Sequence, residues 1–381
     1  MSGFAVKGWA VKGWCPDAWR PMMTGDGLLV RVRPRLGRLT RMQILGLCAA
    51  SVQYGNGQID ATSRANLQIR GVSELGWPDL IAALVLLELV DPDPSTEARR
   101  NIIIAPDWRV GDDTDRIARA LITRLGELPE MPSKVGFAID AGAAPLLGEE
   151  SADFRIERGQ DGGLILRADG RATGTSIAPG VEADALIALA RWFVETGGIG
   201  AGRMTLHKAR LPDWAAGEAG PATPAPGLEP GRHNLGAAYG LPFGRIEAQM
   251  LADAVSSCNA EAVRVTPWRT LIFEAVEPHP LKGLLLDPAA PSMRADACPG
   301  LPICPQATVE TRDLASRLVR VIGGHLHVSG CAKGCARARS SDVMLTGRDG
   351  LFDLAFHARA DDPPARASLT PAQIFDHFGA V

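Results

Sequence analysis

The stretch GRLTRMQILGLCAASVQYGNGQIDATSRANLQIRGV, residues 37–72, decides the fold. Thr40 is an N-cap for a helix over 41–53, because its hydroxyl can accept from the unpaired amides of the first turn. GQIDATSR and NLQIRGV then read as two strands meeting near Arg64. Upstream, GLLVRVRP (27–34) alternates apolar and basic residues, a strand with one charged face. Downstream, WPDLIAALVLLELV (77–90) reads as a helix with Pro78 in its first turn. The order β-α-β-β-α is that of a ferredoxin-like half. The same pattern returns in GRIEAQMLADAVSSCNAEAVRVTPWRTLIFEAV (244–276). Internal repetition predicts a duplicated core with Arg64 and Arg269 at equivalent corners. The competing reading is two unrelated β-α-β-β units.

Between the repeats, RRNIIIAPDW (99–108) reads as an apolar strand. A helix near 115–127, a strand at 135–140, short Gly-rich strands to about 177, a helix near 183–195 and a strand at 202–210 follow. AAGEAGPATPAPGLEPG (215–231) has no periodicity and reads as a linker, or else as an ordered arm wrapping the other half. The expected class is α+β, parsed as 1–95, 96–214, the linker 215–231, 232–285 and 286–381. The tandem AVKGW at 5–9 and 10–14 is too short to be a structural repeat.

The chain has 381 residues, 46% hydrophobic and 22% charged, with net charge -3. No basic imbalance marks a nucleic-acid binder. The longest apolar run, 80–90, spans 11 residues and contains Glu88, too little to cross a bilayer. The first residues show no apolar signal region, so the expectation is a cytoplasmic protein with reduced thiols.

In that setting the seven cysteines become informative: Cys15, Cys48, Cys258, Cys298, Cys304, Cys331 and Cys335. Cys48 shares an apolar helix face with Ile44 and Leu47, Cys258 ends the matching helix, and Cys15 has no evident partner. The other four form ACPGLPICPQA (Cys-x5-Cys) and SGCAKGCAR (Cys-x3-Cys). Two short loops giving two sulfurs each suit a 4Fe-4S cluster, and amides of Gly-rich turns can hydrogen-bond the sulfurs. Structural zinc prefers closer pairs, so the x5 spacing fits it poorly, although zinc and unligated thiols stay open.

ACPGLPICPQA followed by VSGCAKGCARARSSDVMLTG resembles the cluster signature of the nitrite/sulfite reductase family. GDGLLVRVRPRLGRLT (25–40), TSRANLQIRG (62–71), RRNIIIAPD (99–107) and MPSKVG (131–136) extend the resemblance in order along almost the whole chain. It implies duplicated ferredoxin-like half-domains plus two α/β domains of nitrite/sulfite-reductase type, with pseudo-twofold symmetry. It also implies a sirohaem or related tetrapyrrole beside the cluster. Arg64, Arg100 and Lys134 would face the macrocycle or a small substrate, and Gln68 would hold its rim. Arginine forks match carboxylates bidentately, so Arg31, Arg33, Arg64, Arg70 and Arg269 could cradle the polycarboxylate ring. A solvated strand face is the plain alternative for each.

There are departures. The reductases carry a second lysine two residues after the one matching Lys134, where this chain has Gly136, and the chain is short for the assimilatory enzymes. GWCPDAWRPMMTGDGLLVR (13–31) resembles the opening of one branch in which the macrocycle is substrate. That branch implies O2-dependent hydroxylation of metal-free precorrin-3A at C20, with γ-lactone closure, in aerobic cobalamin biosynthesis. It is also associated with a mononuclear non-haem iron. His325 and His327, two apart on an expected strand, are candidate ligands, with a polar strand face as the alternative. Cys335 matches the cysteine that bridges to the haem iron in the reductases, and a metal-free substrate leaves it a cluster ligand only. Sirohaem belongs to the alternative reading, a sulfite or nitrite reductase; a third is a zinc-stabilised tetrapyrrole binder without catalysis. No Rossmann or Walker glycine motif is present, so electrons are expected from a separate NADH-linked reductase or ferredoxin.

Overall fold

The structure is a computed structural model that describes residues 15–379; the AVKGW duplication lies outside them. The chain forms two compact units. One comprises Ala18–Pro92 with Pro226–Val381, the other Asp93–Ala225 with the stretch ending at Asp17.

The first unit contains the duplicated core. Helix Arg41–Tyr54 starts at a capping box in which Thr40 Oγ1 accepts from Gln43 N and Gln43 Oε1 accepts from Thr40 N. The sheet beneath it orders strands Met22–Thr24, Gly27–Val32, Leu67–Val72, Gln58–Ala61 and Arg245–Glu247. The second sheet orders Gly231–His233, Gly236–Gly240, Thr270–Glu274, Ala262–Val265 and Arg38–Thr40. Each edge strand therefore comes from the other repeat: Arg38 pairs with Arg264, and Arg245 pairs with Asp60. The registers make Val30, Leu39, Ile59 and Ile69 equivalent to Ala237, Ile246, Val263 and Phe273, all buried.

One expectation needs correction. Arg64 N and Trp268 N donate to Thr62 Oγ1 and Thr266 Oγ1, each at 3.3 Å. Ala65 and Arg269 both take left-handed φ, 52° and 57°. Arg64 is thus equivalent to Trp268, and Arg269 to Ala65. The helix expected over 77–90 ends at Leu86, because Glu88 turns left-handed (φ 58°) and the amides of Leu89 and Val90 fold back on Leu84 O.

A third sheet in the same unit runs Ala295–Ala297, Leu326–Ser329, Ser341–Arg348, Leu351–Ala358 and Arg366–Leu369, the first three parallel and the rest antiparallel. Leu326, Val328, Val343 and Leu345 pack with Leu314 and Leu318 of helix Arg312–Leu318 into one core. Fully burying side chains of this size stabilises by about 1.5–3 kcal/mol each.

The second unit repeats this topology with Ile102–Ile104, Phe137–Asp140, Phe154–Arg158, Leu164–Ala168 and Thr175–Ile177. The apolar run at 99–108 is strand only over Ile102–Ile104, since Pro94–Arg99 is helical. Residues 202–210 are not a strand: Met204–Leu206 is a single 3-10 turn, fixed by Met204 N donating to Asp153 Oδ1 at 2.8 Å. The expected linker is ordered as far as Ala225, where Ala219 N, Ala222 N and Ala225 N donate to Gly174 O, Arg158 O and Pro145 O of its own unit.

Candidate four-cysteine and cationic site

Cys298 directly follows strand Ala295–Ala297, and Cys331 lies just beyond strand Leu326–Ser329. Those strands are parallel neighbours, so both cysteine loops leave from the same C-terminal sheet edge, the usual ligand-binding edge of parallel sheets. The loops are tied together. Gly330 N donates to Cys298 Sγ at 3.1 Å and Thr308 N to Gly330 O at 2.9 Å. Thr311 Oγ1 donates to Cys298 O at 2.5 Å, and Ser329 Oγ to Cys331 O at 2.7 Å. An ideal Cβ at Gly330 would stand 2.6 Å from Ala307 Cβ, so only glycine lets the loops approach this closely.

Two of the four thiols are shifted. Burial first, and then the neighbouring cysteines, push Cys335 up to about 11 and raise Cys331 as well. Cys298 and Cys331 are buried, Cys304 is half-buried, and Cys335 is exposed as a residue although its thiol is crowded enough for burial to dominate. Among the described residues, no three His, Cys, Asp or Glu side chains close on a single ion. Two linked loops and an amide already donating to sulfur suit the cluster that the resemblance implies.

His327 adds an independent mark. It is fully buried, both ring nitrogens lack a partner, and burial pushes its pKa down to about 4. Its Cε1 lies 3.8 Å from the Cβ position at Gly334, so the ring sits under the Cys-x3-Cys loop. Orphaned buried nitrogens cost about 1–3 kcal/mol each, which leaves the loop underside short of a hydrogen-bonding group. Asp296 is in register with His327, but its carboxylate is held by His325, Arg337 and Arg269 at 3.4, 3.3 and 3.4 Å. The two histidines and Asp296 share a sheet face without converging on one point.

The polar face of the first ferredoxin-like sheet carries a row. Arg31 faces Gln68, Gln68 faces Asp60, and Asp60 faces Arg245 across four strands. Arg33 and Arg70, two residues along, share that face, and Arg64 stands half-buried in the adjoining turn. Three of the equivalent positions in the second half are apolar or small: Ala238, Gly240 and Ile272 stand where Arg31, Arg33 and Gln68 stand. Arg264 and Arg38 stand where Asp60 and Arg245 stand, so the second half keeps charge there but lacks the two cations of Arg31 and Arg33.

Arg70 is buried and already committed, bonding Asp26 at 2.8 Å and Asp60 at 3.3 Å. Arg269 donates to Ala295 O (2.6 Å) and Met293 O (3.0 Å), bracing the strand that leads into Cys298. These two expected cradle members have structural partners. Two residues that the sequence reading missed, Arg245 and Arg312, lie on the same charge cluster.

In the second unit, Arg100 is buried and pairs with Glu97 at 2.5 Å, while Lys134 is half-buried in the Pro132–Val135 turn. A Cβ at Gly136 would meet Asn101 Nδ2 at 2.7 Å and Asn101 O at 2.8 Å. Asn101 is itself pinned, donating to Val135 O at 2.7 Å. Position 136 has no room for a lysine.

Fold and site define a duplicated ferredoxin-like α+β protein with a four-cysteine centre on a parallel-strand edge. The family described as nitrite/sulfite reductase ferredoxin-like half domain matches residues 20–86. A precorrin-3B synthase of Sinorhizobium sp is 30% identical over 392 residues, covering 91% of this chain and 83% of that protein. A ferredoxin–nitrite reductase of Synechococcus elongatus is 25% identical over 405 residues, covering 86% and 77%. The Mycobacterium tuberculosis NirA structure shares the fold, with TM-score 0.60 and 17% identity over 92% of this chain and 79% of that one. The chain belongs to the nitrite/sulfite reductase family. No helix among the described residues is long and apolar enough to cross a membrane.

Proposed function

We propose that the protein is an oxidoreductase that hydroxylates metal-free precorrin-3A at C20 with O2 and closes a γ-lactone, the step that makes precorrin-3B. The observation that carries this reading is that the Arg31, Arg33 and Gln68 positions are polar in one half alone. Arg31, Arg33 and Gln68 stand where the other half has Ala238, Gly240 and Ile272, as one asymmetric polycarboxylate ligand requires. The precorrin-3B synthase relative, matching over 91% of the chain, supports it. Gly136 disfavours an inorganic-anion reductase, since a second cation there would collide with Asn101.

In this reading Cys298, Cys304, Cys331 and Cys335 hold a 4Fe-4S cluster, which supplies one-electron transfer from an external NADH-linked reductase or ferredoxin. Gly330 N–H, which donates to Cys298 Sγ at 3.1 Å, would stabilise a cluster-bound sulfur there. Arg31, Arg33, Arg64 and Gln68 would orient the macrocycle by its rim. One oxygen atom enters the macrocycle; the other leaves as water with two electrons and two protons.

The test is the visible spectrum of anaerobically prepared protein, with iron and sulfide assayed on the same sample. A bleachable iron–sulfur shoulder without chlorin bands is expected. Sirohaem bands would replace this reading with the second one, a sulfite or nitrite reductase like the Synechococcus relative. Zinc in place of iron and sulfide would point to a tetrapyrrole binder without redox chemistry.

A further inference from the structure

We propose that Arg312 is a carboxylate-receiving residue of the tetrapyrrole slot, which extends the Arg31–Gln68–Asp60–Arg245 row to the base of the cysteine loops. The proposal rests on the functional reading above. Arg312 begins the helix that follows the Cys-x5-Cys loop. Its Nη2 lies 3.7 Å from Asp60 Oδ1, and its side chain is 19% exposed. Its Nε and Nη1 are shielded from solvent and have no acceptor.

The local charge does not balance. Asp60 faces Arg245 at 2.8 Å, Arg70 at 3.3 Å and Arg312 at 3.7 Å, and Arg70 also holds Asp26 at 2.8 Å. Three guanidinium groups set against two carboxylates leave one positive charge over. Arg70 and Arg245 hold the short contacts, so the surplus resides on Arg312. Burial lowers its pKa to about 10, the behaviour of a guanidinium short of an anion. A desolvated cation with unused donors is costly, and structures keep one where a ligand completes it.

The missing anion belongs on the sheet side. Arg312 Nη2 reaches Asp60 Oδ1 on the sheet at 3.7 Å, and Asp60 is paired there with Arg245. Gln68 and Arg31 continue the same cross-strand row. A planar fork with two donors to spare suits a carboxylate, and a small rotation of the long side chain presents it.

The experiment titrates the full chain in the dark with uroporphyrin, a metal-free macrocycle rich in rim carboxylates, and with coproporphyrin, which has half as many. Wild-type protein should bind uroporphyrin more tightly. Arg312→Met should weaken that binding about ten- to hundredfold, the worth of a charge-assisted pair, and weaken coproporphyrin binding less. Its melting temperature should hold or rise, because the deleted charge was desolvated and its ion pair to Asp60, at 3.7 Å, is long. Should Arg312→Met fold poorly, Arg312→Lys makes the same comparison, keeping charge but losing the fork and part of the affinity. Unchanged uroporphyrin binding in either folded variant overturns the assignment, whether stability falls or only the cluster's reduction potential moves. A wild-type chain that ignores uroporphyrin overturns the functional reading itself, and Arg312 falls with it.

Discussion

Asp60 and Arg264 occupy equivalent strand positions in the two half-domains and carry opposite charges. Each is the partner of an exchanged edge strand: Asp60 of Arg245, Arg264 of Arg38. The next strand is inverted as well, with Arg70 beside Asp60 and Glu274 beside Arg264. Each junction is therefore an arginine–carboxylate–arginine triad, built with the acid on a different strand. Arg38 and Arg264 both grip Glu274, at 2.6 and 2.5 Å.

Glu274→Gln should cost about 3 kcal/mol in denaturant unfolding, because it leaves two poorly solvated guanidinium groups without their counter-charge. Burial alone would raise the Glu274 carboxyl, but bonds from Arg38 and Arg264 hold it below its ordinary value. Its stabilisation is present above the unfolded pKa and is lost as pH falls through the folded one. The variant's acid limb should be correspondingly flatter; an equal loss of stability with an unaltered acid limb would refute the triad.

Gly330→Ala should lower bound iron and sulfide, because the new methyl group meets Ala307 at 2.6 Å and parts the two cysteine loops. Metal analysis of anaerobic protein checks it. Cys258→Ser is the control: that thiol follows helix Ala248–Ser257 and donates to Val255 O at 3.8 Å, and iron content should not change.

Gly136→Lys should destabilise by about 1–3 kcal/mol, the usual cost of overpacking, through its collision with the pinned Asn101. It should confer no sulfite or nitrite reduction. A well-folded variant that reduces either anion would show that position 136 alone separates the two activities.

His327→Leu should make cluster-free protein more resistant to acid. Burial holds the imidazole neutral down to about pH 4, whereas an unfolded histidine takes a proton near its ordinary value. The unfolded chain therefore binds more protons between about pH 6.5 and 4, and stability falls as pH falls through that window. Removing the ring should flatten that fall in thermal melts. An unchanged pH profile would mean that His327 takes up its proton in the fold as readily as in the unfolded chain.

Asp140→Asn should stabilise the protein at neutral pH. Burial pushes this carboxyl up to about 6, and its Oδ1 lacks any partner, while Oδ2 accepts from Leu147 N at 2.6 Å. A raised carboxyl contributes stability below the unfolded pKa and loses it as pH rises through about 6. An amide keeps the acceptor and avoids the charge, so a gain of about 1–2 kcal/mol should appear in chemical denaturation at pH 7 and vanish near pH 4.

The legible features were local. Thr40 and Gln43 announce the helix start because a capping box spans four consecutive residues. The cysteine spacing marks the candidate metal site because two short loops fix where sulfurs can go. The helix end near Leu86 escaped, since a glutamate rather than a glycine takes the left-handed turn. Strand exchange escaped because Arg38 finds Arg264 across most of the chain, where periodicity is silent. Arg312 escaped for a similar reason: one arginine in a polar segment gains meaning only when Asp60, Arg70 and Arg245 converge on it. The one-residue offset between Arg64 and Arg269 came from matching residue type, whereas turn hydrogen bonds define the equivalence.

The exchanged edge strands carry a consequence for ancestry. A single repeat cannot close its own five-stranded sheet; alone it would present an open edge beside Gln58–Ala61 and an orphan strand at Arg38–Thr40. Before the repeats were joined in one chain, two identical copies would have had to lend each other that strand, and every change would have appeared twice. Fusion released this constraint. In one chain the two copies are free to differ, as they do where Ala238, Gly240 and Ile272 stand in the places of Arg31, Arg33 and Gln68, a freedom that two identical chains lack.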